Sequence, residues 1–180
     1  TSTAIPVAND DGTLFGMLSW DDLARFHMEL VTSSYLRPTP QFNVISSLEG
    51  KVLNDVGSHA DMISGEVVIA LPQRREQLLF KKSESIVICG DQPDMIRRAL
   101  ELNVNCLILC ETELPEEVRG IDSTTTIIMT PYDAYRALRL IFQSAPVERV
   151  CQKKDITTFH LDDRIDDVRE IVMNKRDNCY

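Results

Sequence analysis

The chain has little of what catalysis, metal binding or membrane insertion usually requires. Its three histidines, His27, His59 and His160, are scattered, and no H-E-x-x-H, Asp-His-His or serine elbow is present. The segment itself is therefore expected to be non-catalytic, with no metal and no cofactor of its own. The seven glycines form neither G-x-G-x-x-G nor G-x-x-x-x-G-K-[ST], which removes the two common phosphate-cradling loops. Among five cysteines there is no C-x-x-C pair, and Cys89, Cys106 and Cys110 lie in apolar runs. That pattern predicts small core residues in a reducing compartment, not zinc ligands or disulfides. No stretch is long and apolar enough to span a bilayer, and the first residues lack a signal-peptide pattern, which predicts a cytoplasmic chain without a membrane partner. Positive charge is also scarce. With a formal net charge of −9 and only the short pairs Arg74-Arg75, Lys81-Lys82 and Lys153-Lys154, the chain has no patch to meet a phosphate backbone, so nucleic acid is excluded as a partner. Apolar residues, by contrast, make up 43% of the chain, enough for real cores in one or two small domains.

The most informative stretch runs from Ile5 to Leu23. An apolar run ends at Asn9-Asp10-Asp11-Gly12, a polar turn signature, and a second apolar run follows, which predicts a hairpin. Ser19 falls where strand gives way to helix, so its hydroxyl can cap, and Asp21 and Asp22 occupy the first turn, where the helix dipole favours carboxylates. The helix is predicted from Ser19 to about Val31, with Leu23, Phe26, Leu30 and Val31 on one face. At the other end, Ile156 to Thr158 reads as a short strand. Asp162-Asp163 and Asp166-Asp167 mark an acidic helix start, and Ile165, Val168, Ile171 and Val172 recur at helical spacing.

Between these ends, roughly Gln41 to Gln143, the rhythm changes. Ser64–Leu71, Ser85–Gly90, Asn105–Cys110 and Thr125–Met129 are continuous apolar runs rich in β-branched residues, the pattern of strands buried on both faces. Helical segments alternate with them: Asp94 to Leu102 with Asp94 as N-cap, about Pro115 to Val118, and Pro131 to Phe142 with proline at the first position. Alternation of this kind predicts an α/β domain with a largely parallel sheet. The loop Gly90-Asp91-Gln92-Pro93-Asp94 ends a strand and opens a helix, where such sheets present ligands, but one glycine and two acids make it a structural turn.

The Gly16-Met17-Leu18-Ser19-Trp20-Asp21-Asp22 turn, after its hairpin, resembles the second half of a CBS module, and Ile156 to Met173 resembles the first half of one. The last residues, Arg176-Asp177-Asn178-Cys179-Tyr180, align with the first, Thr1 to Ile5. The middle resembles a DRTGG domain through Ser64-Gly65-Glu66-Val67-Val68-Ile69-Ala70, Gly90-Asp91-Gln92-Pro93-Asp94 and Thr130-Pro131-Tyr132-Asp133. It departs from that family where Gln92 replaces arginine and Cys110-Glu111-Thr112 replaces a Thr-Gly-Gly turn, which weakens any phosphate role for the turn. Together these imply an α/β (mixed α+β) fold: a CBS half-module over 1–35, a DRTGG domain over 36–145 and a second CBS half over 146–180. Each half would need its complement, so the sequence is expected to be part of a longer chain.

This order resembles the regulatory insert of family II inorganic pyrophosphatases. The resemblance implies an adenine-nucleotide-binding region (AMP, ADP, ATP or a diadenosine polyphosphate) that controls a linked enzyme hydrolysing pyrophosphate, and a homodimer formed through CBS modules. It further implies that the parent enzyme uses a divalent metal, Mn, Co or Mg. The nucleotide-binding set it implies is Thr3, Ala4, Ile5, Ser19 and Asp22 in one module, with Thr157, Arg176, Asn178 and Tyr180 in the other. The residues alone favour Ser19 as an N-cap and Asp22 as a dipole-compensating charge, and it is the resemblance that turns them into ligand contacts. Two other readings stand beside it: a CBS–DRTGG sensor of another parent, such as a transcription regulator or a phosphotransacetylase-like enzyme, and a pure dimerisation module.

Overall fold

A computed structural model describes residues 4–54, 62–70, 84–153 and 156–174. They form two compact units, one combining Thr1–Val31 with Val147–Tyr180 and the other running from Thr32 to Pro146.

The larger unit is built on a six-stranded sheet. Its strands are β3 (Tyr35–Pro40), β4 (Lys51–Val52), β5 (Met62–Ile69), β6 (Ser85–Cys89), β7 (Cys106–Cys110) and β8 (Thr126–Thr130), in the spatial order β3-β5-β6-β7-β8-β4. The four central strands run parallel, and β3 and β4 close the edges antiparallel. The predicted largely parallel α/β sheet is therefore present. Every residue of β6 and β7 is buried, as their unbroken apolar sequences require. Successive side chains point to opposite faces, so Val87, Cys89, Leu107 and Leu109 join Met95, Ile96, Ala99 and Leu100 of α3 (Pro93–Glu101) in one core layer. On the same unit, α4 (Ala134–Gln143) packs against β5, β6 and the short helix α2 (Gln41–Ser47). Between β7 and β8 the chain forms only a 3₁₀ turn, Glu116–Val118.

The predicted helix boundaries shift in three places. Helix α3 begins one residue earlier, with Pro93 in its first turn and Gln92, not Asp94, at the N-cap position. Proline suits that turn because its missing N–H has no intrahelical partner there. Helix α4 begins at Ala134, not at Pro131, because the Asp133 carboxylate accepts from the N–H groups of Tyr135 (2.9 Å) and Arg136 (3.0 Å) and so ends the irregular chain. The segment from Pro115 to Val118 closes a 3₁₀ turn and goes no further.

The smaller unit contains the hairpin β1 (Ala4–Ala8) and β2 (Leu14–Ser19), then α1 (Trp20–Thr32), and later α5 (Ile165–Asn174). The predicted hairpin and both helices are present. The turn works as its residues suggest: Gly12 takes a left-handed φ of 81°, and its N–H donates to the Asn9 carbonyl at 2.9 Å. Asp11 accepts from both the hydroxyl (2.6 Å) and the N–H (2.9 Å) of Thr13, which holds its carboxyl below the usual carboxylate range. No strand forms over Ile156 to Thr158, a departure from the sequence reading. Instead Gln152 exchanges both backbone hydrogen bonds with Met17, at 2.7 and 2.9 Å, laying the second half of the unit on β2.

Candidate functional site

Register places four of the nine expected ligand residues at one end of the hairpin. Ala4 lies opposite Ser19 and Ile5 opposite Leu18, so the strand end, the capping serine and the helix start converge. At that junction Ser19 and Asp22 bond reciprocally. The Ser19 N–H and hydroxyl donate to Asp22 Oδ2 at 3.0 and 2.6 Å, while the Asp22 N–H donates back to Ser19 Oγ at 3.2 Å. This is a capping box with aspartate in place of glutamate, and it satisfies one of the free N–H groups at the start of α1. The Asp22 side chain is only 10% exposed, and its Oδ1 lies 3.8 Å from Arg25, too far for more than a weak ion pair. Oδ1 thus keeps acceptor capacity beside the positive end of the helix. Ile5, 59% exposed and opposite Leu18, supplies apolar surface one position from Ser19 along the hairpin.

Gly16 explains the first position of the turn motif. A Cβ there would sit 2.8 Å from the Gln152 carbonyl oxygen and 3.0 Å from the Cys151 sulfur, so the bridge to Gln152 needs a residue without one. This constraint leaves no local signal in the sequence, because Gln152 lies far along the chain. Lys153, one residue on, stands 4.2 Å above the Phe15 ring as a cation–π partner.

The remaining expected residues are placed less fully. Thr157 is half-buried in irregular chain of the same unit and belongs to no strand. Thr3, Arg176, Asn178 and Tyr180 lie outside the described residues. In the Gly90–Asp94 loop the Gln92 side chain donates to the Ala70 carbonyl at 3.0 Å, tying the end of β5 to the start of α3. Among the described residues no group of three or more His, Cys, Asp or Glu side chains could hold a metal ion, and no helix is long and apolar enough to cross a membrane. Cys89, Cys106, Cys110 and Cys151 are buried free thiols.

Residues 43–144 match the DRTGG domain family. Over 98% of its length the chain is 30% identical to a cobalt-dependent inorganic pyrophosphatase from Clostridium perfringens, while spanning 33% of that relative. Its structure is similar, with a TM-score of 0.82 and 28% identity, to the crystal structure of the CBS and DRTGG domains of the regulatory region of Clostridium perfringens pyrophosphatase, complexed with the activator diadenosine tetraphosphate. The similarity covers 96% of this chain and 77% of that one. The chain belongs to the DRTGG domain family, and its fold matches that of CBS and DRTGG domains.

Proposed function

We propose that this chain is a regulatory region that binds adenine nucleotides and controls a linked inorganic pyrophosphatase. The observation that carries the reading is the Ser19–Asp22 junction, where a helix start, a serine hydroxyl, a carboxylate oxygen with spare acceptor capacity and the exposed Ile5 converge. A phosphate suits the α1 N-terminus, ribose hydroxyls can donate to Asp22 Oδ1, and a base can lie on apolar strand surface. The activator bound to the similar clostridial region, diadenosine tetraphosphate, carries all three kinds of group. Thr3, Ala4 and Ile5 complete this half of the proposed set, and Thr157, Arg176, Asn178 and Tyr180 form the aligned half. In this reading 1–35 and 146–180 are CBS halves around a DRTGG domain at 36–145, chains pair as homodimers through those modules in the cytoplasm, and the parent enzyme supplies the divalent metal. AMP, ADP, ATP and the diadenosine polyphosphates share the chemistry the junction recognises.

Calorimetric titration of AMP and diadenosine tetraphosphate into the chain, without added metal, tests the proposal. Saturable binding that weakens in Ser19→Ala is expected. No heat and no thermal shift at millimolar nucleotide would sink it and favour the dimerisation reading, which the exposure of Ile165 (83%) and Met173 (71%) on α5 supports.

A further inference from the structure

The two crossovers on the α3 side of the sheet are covered unequally. Between β6 and β7 the chain builds α3, but between β7 and β8 it builds only the 3₁₀ turn Glu116–Val118. A parallel sheet needs apolar cover on both faces, and three residues of 3₁₀ turn supply less than a helix. Over β8 this leaves a cleft of about 570 Å³, within the size range of small-molecule sites.

Half-buried Leu53, Leu114, Ile121 and Met129 line the cleft and rest on the core layer beneath. Its walls are fixed by satisfied hydrogen bonds. Asn54 clips β8 by donating to the Thr125 carbonyl at 2.5 Å and accepting from the Ile127 N–H at 2.8 Å. Ser123 donates to the Leu100 carbonyl at 2.8 Å, and Asn103, held at a left-handed φ of 51°, accepts from the Thr124 N–H at 2.9 Å. The cleft is thus preformed. Of its two lining cations, Arg119 is held by Glu116 at 2.5 Å, whereas Lys51 has no ion pair among the described residues. The carboxylates of Glu113 and Asp122 also line the cleft; they disfavour a second anionic group and can accept from hydroxyl or amino groups.

We propose that this cleft in the DRTGG unit is a second ligand site, separate from the hairpin junction, that takes a small ring-bearing anion: the ring on Leu53, Leu114, Ile121 and Met129, and a single phosphate or carboxylate on Lys51. Titration of 1-naphthyl phosphate into the full 180-residue chain, methyl-labelled at Ile, Leu and Met, tests it, with uncharged 1-naphthol as the control. Saturable shifts are expected at the Ile121, Ile127 and Met129 methyls, with the phosphate binding about fivefold tighter than the naphthol, the advantage of one exposed ion pair. Lys51→Glu removes that advantage, and Ser19→Ala leaves it unchanged. The proposal is overturned by shifts confined to the hairpin, by no saturable shift at those methyls, by equal binding of the two probes, or by a Lys51→Glu variant that keeps the difference.

Discussion

Asp22 caps α1 with Ser19 through one oxygen and is proposed to take ribose hydroxyls through the other, and substitutions can separate the two roles. Oδ2 takes both the N–H and the hydroxyl of Ser19, so Asp22→Ala removes the return half of the capping box and costs about 1 kcal/mol of stability besides any loss of affinity. Asp22→Asn keeps a carbonyl oxygen for Ser19 but loses the charge that ribose hydroxyls would use. AMP affinity is expected to fall by about tenfold in Asp22→Asn, the difference between a charged and a neutral hydrogen bond, with the melting temperature nearly unchanged. Calorimetry beside thermal unfolding reads both, and a lowered melting temperature with retained affinity would make Asp22 a cap only. Asp11 provides a pH-dependent counterpart. Its folded carboxyl titrates below the unfolded one, so its contribution is present at neutral pH and is lost as pH falls through and below the usual carboxylate range. Thr13→Val deletes the hydroxyl donor and is expected to raise the Asp11 pKa in a carboxyl NMR titration, since that hydrogen bond is the largest cause of the shift. Burial pushes the thiols of Cys89, Cys106 and Cys110 up to about 12, so at pH 8 these sulfurs are almost wholly protonated. Their alkylation by iodoacetamide is expected to follow protein opening, rising with urea; prompt labelling in the absence of urea would contradict their placement in β6 and β7.

At the scale of elements, two glycines are fixed by neighbours far away in sequence. In Gly65, φ is 144°, and a Cβ would run into the carbonyl oxygen of Glu84; in Gly16, it would meet Gln152. Gly16→Ala is expected to cost about 1–3 kcal/mol and to speed amide exchange at Met17 and Gln152 while leaving β6 and β7 protected. The sequence revealed elements whose signals are local. The turn Asn9–Thr13 announces the hairpin, Ser19 announces α1, and continuous apolar runs announce the parallel strands. It concealed β3, because Pro38 and Pro40 read as loop residues. An edge strand tolerates them, having no second neighbour to which it must donate. Helix α2 was hidden by its length and its lack of a side-chain cap, since Pro40 holds the N-cap position. The Ser19–Asp22 pair was legible as a helix cap by its spacing and as a candidate site only by resemblance, while the Gln152 bridge and the Lys51–Met129 cleft were not legible. Both are assembled from residues that meet only after the sheet and the chain ends have come together.

Over the whole chain, the Thr32–Pro146 unit is one continuous segment, whereas the hairpin's unit is assembled from both ends. The exchange of hydrogen bonds between Met17 and Gln152 therefore closes a very long loop. Closing it from an unfolded chain costs entropy that grows with the logarithm of loop length, and most of that length lies in the inserted unit. Once that unit has folded, its residues no longer wander, and the loop to be closed is effectively much shorter. Folding should then be ordered, with the inserted unit first and the bridge last, whether the chain refolds in a tube or leaves the ribosome. Pulsed hydrogen exchange during refolding should show β6 and β7 amides protected before those of Met17 and Gln152; the reverse order would mean that the ends find each other unaided. A substitution that slows the inserted unit would thus also delay completion of the proposed nucleotide site, although it touches no residue there.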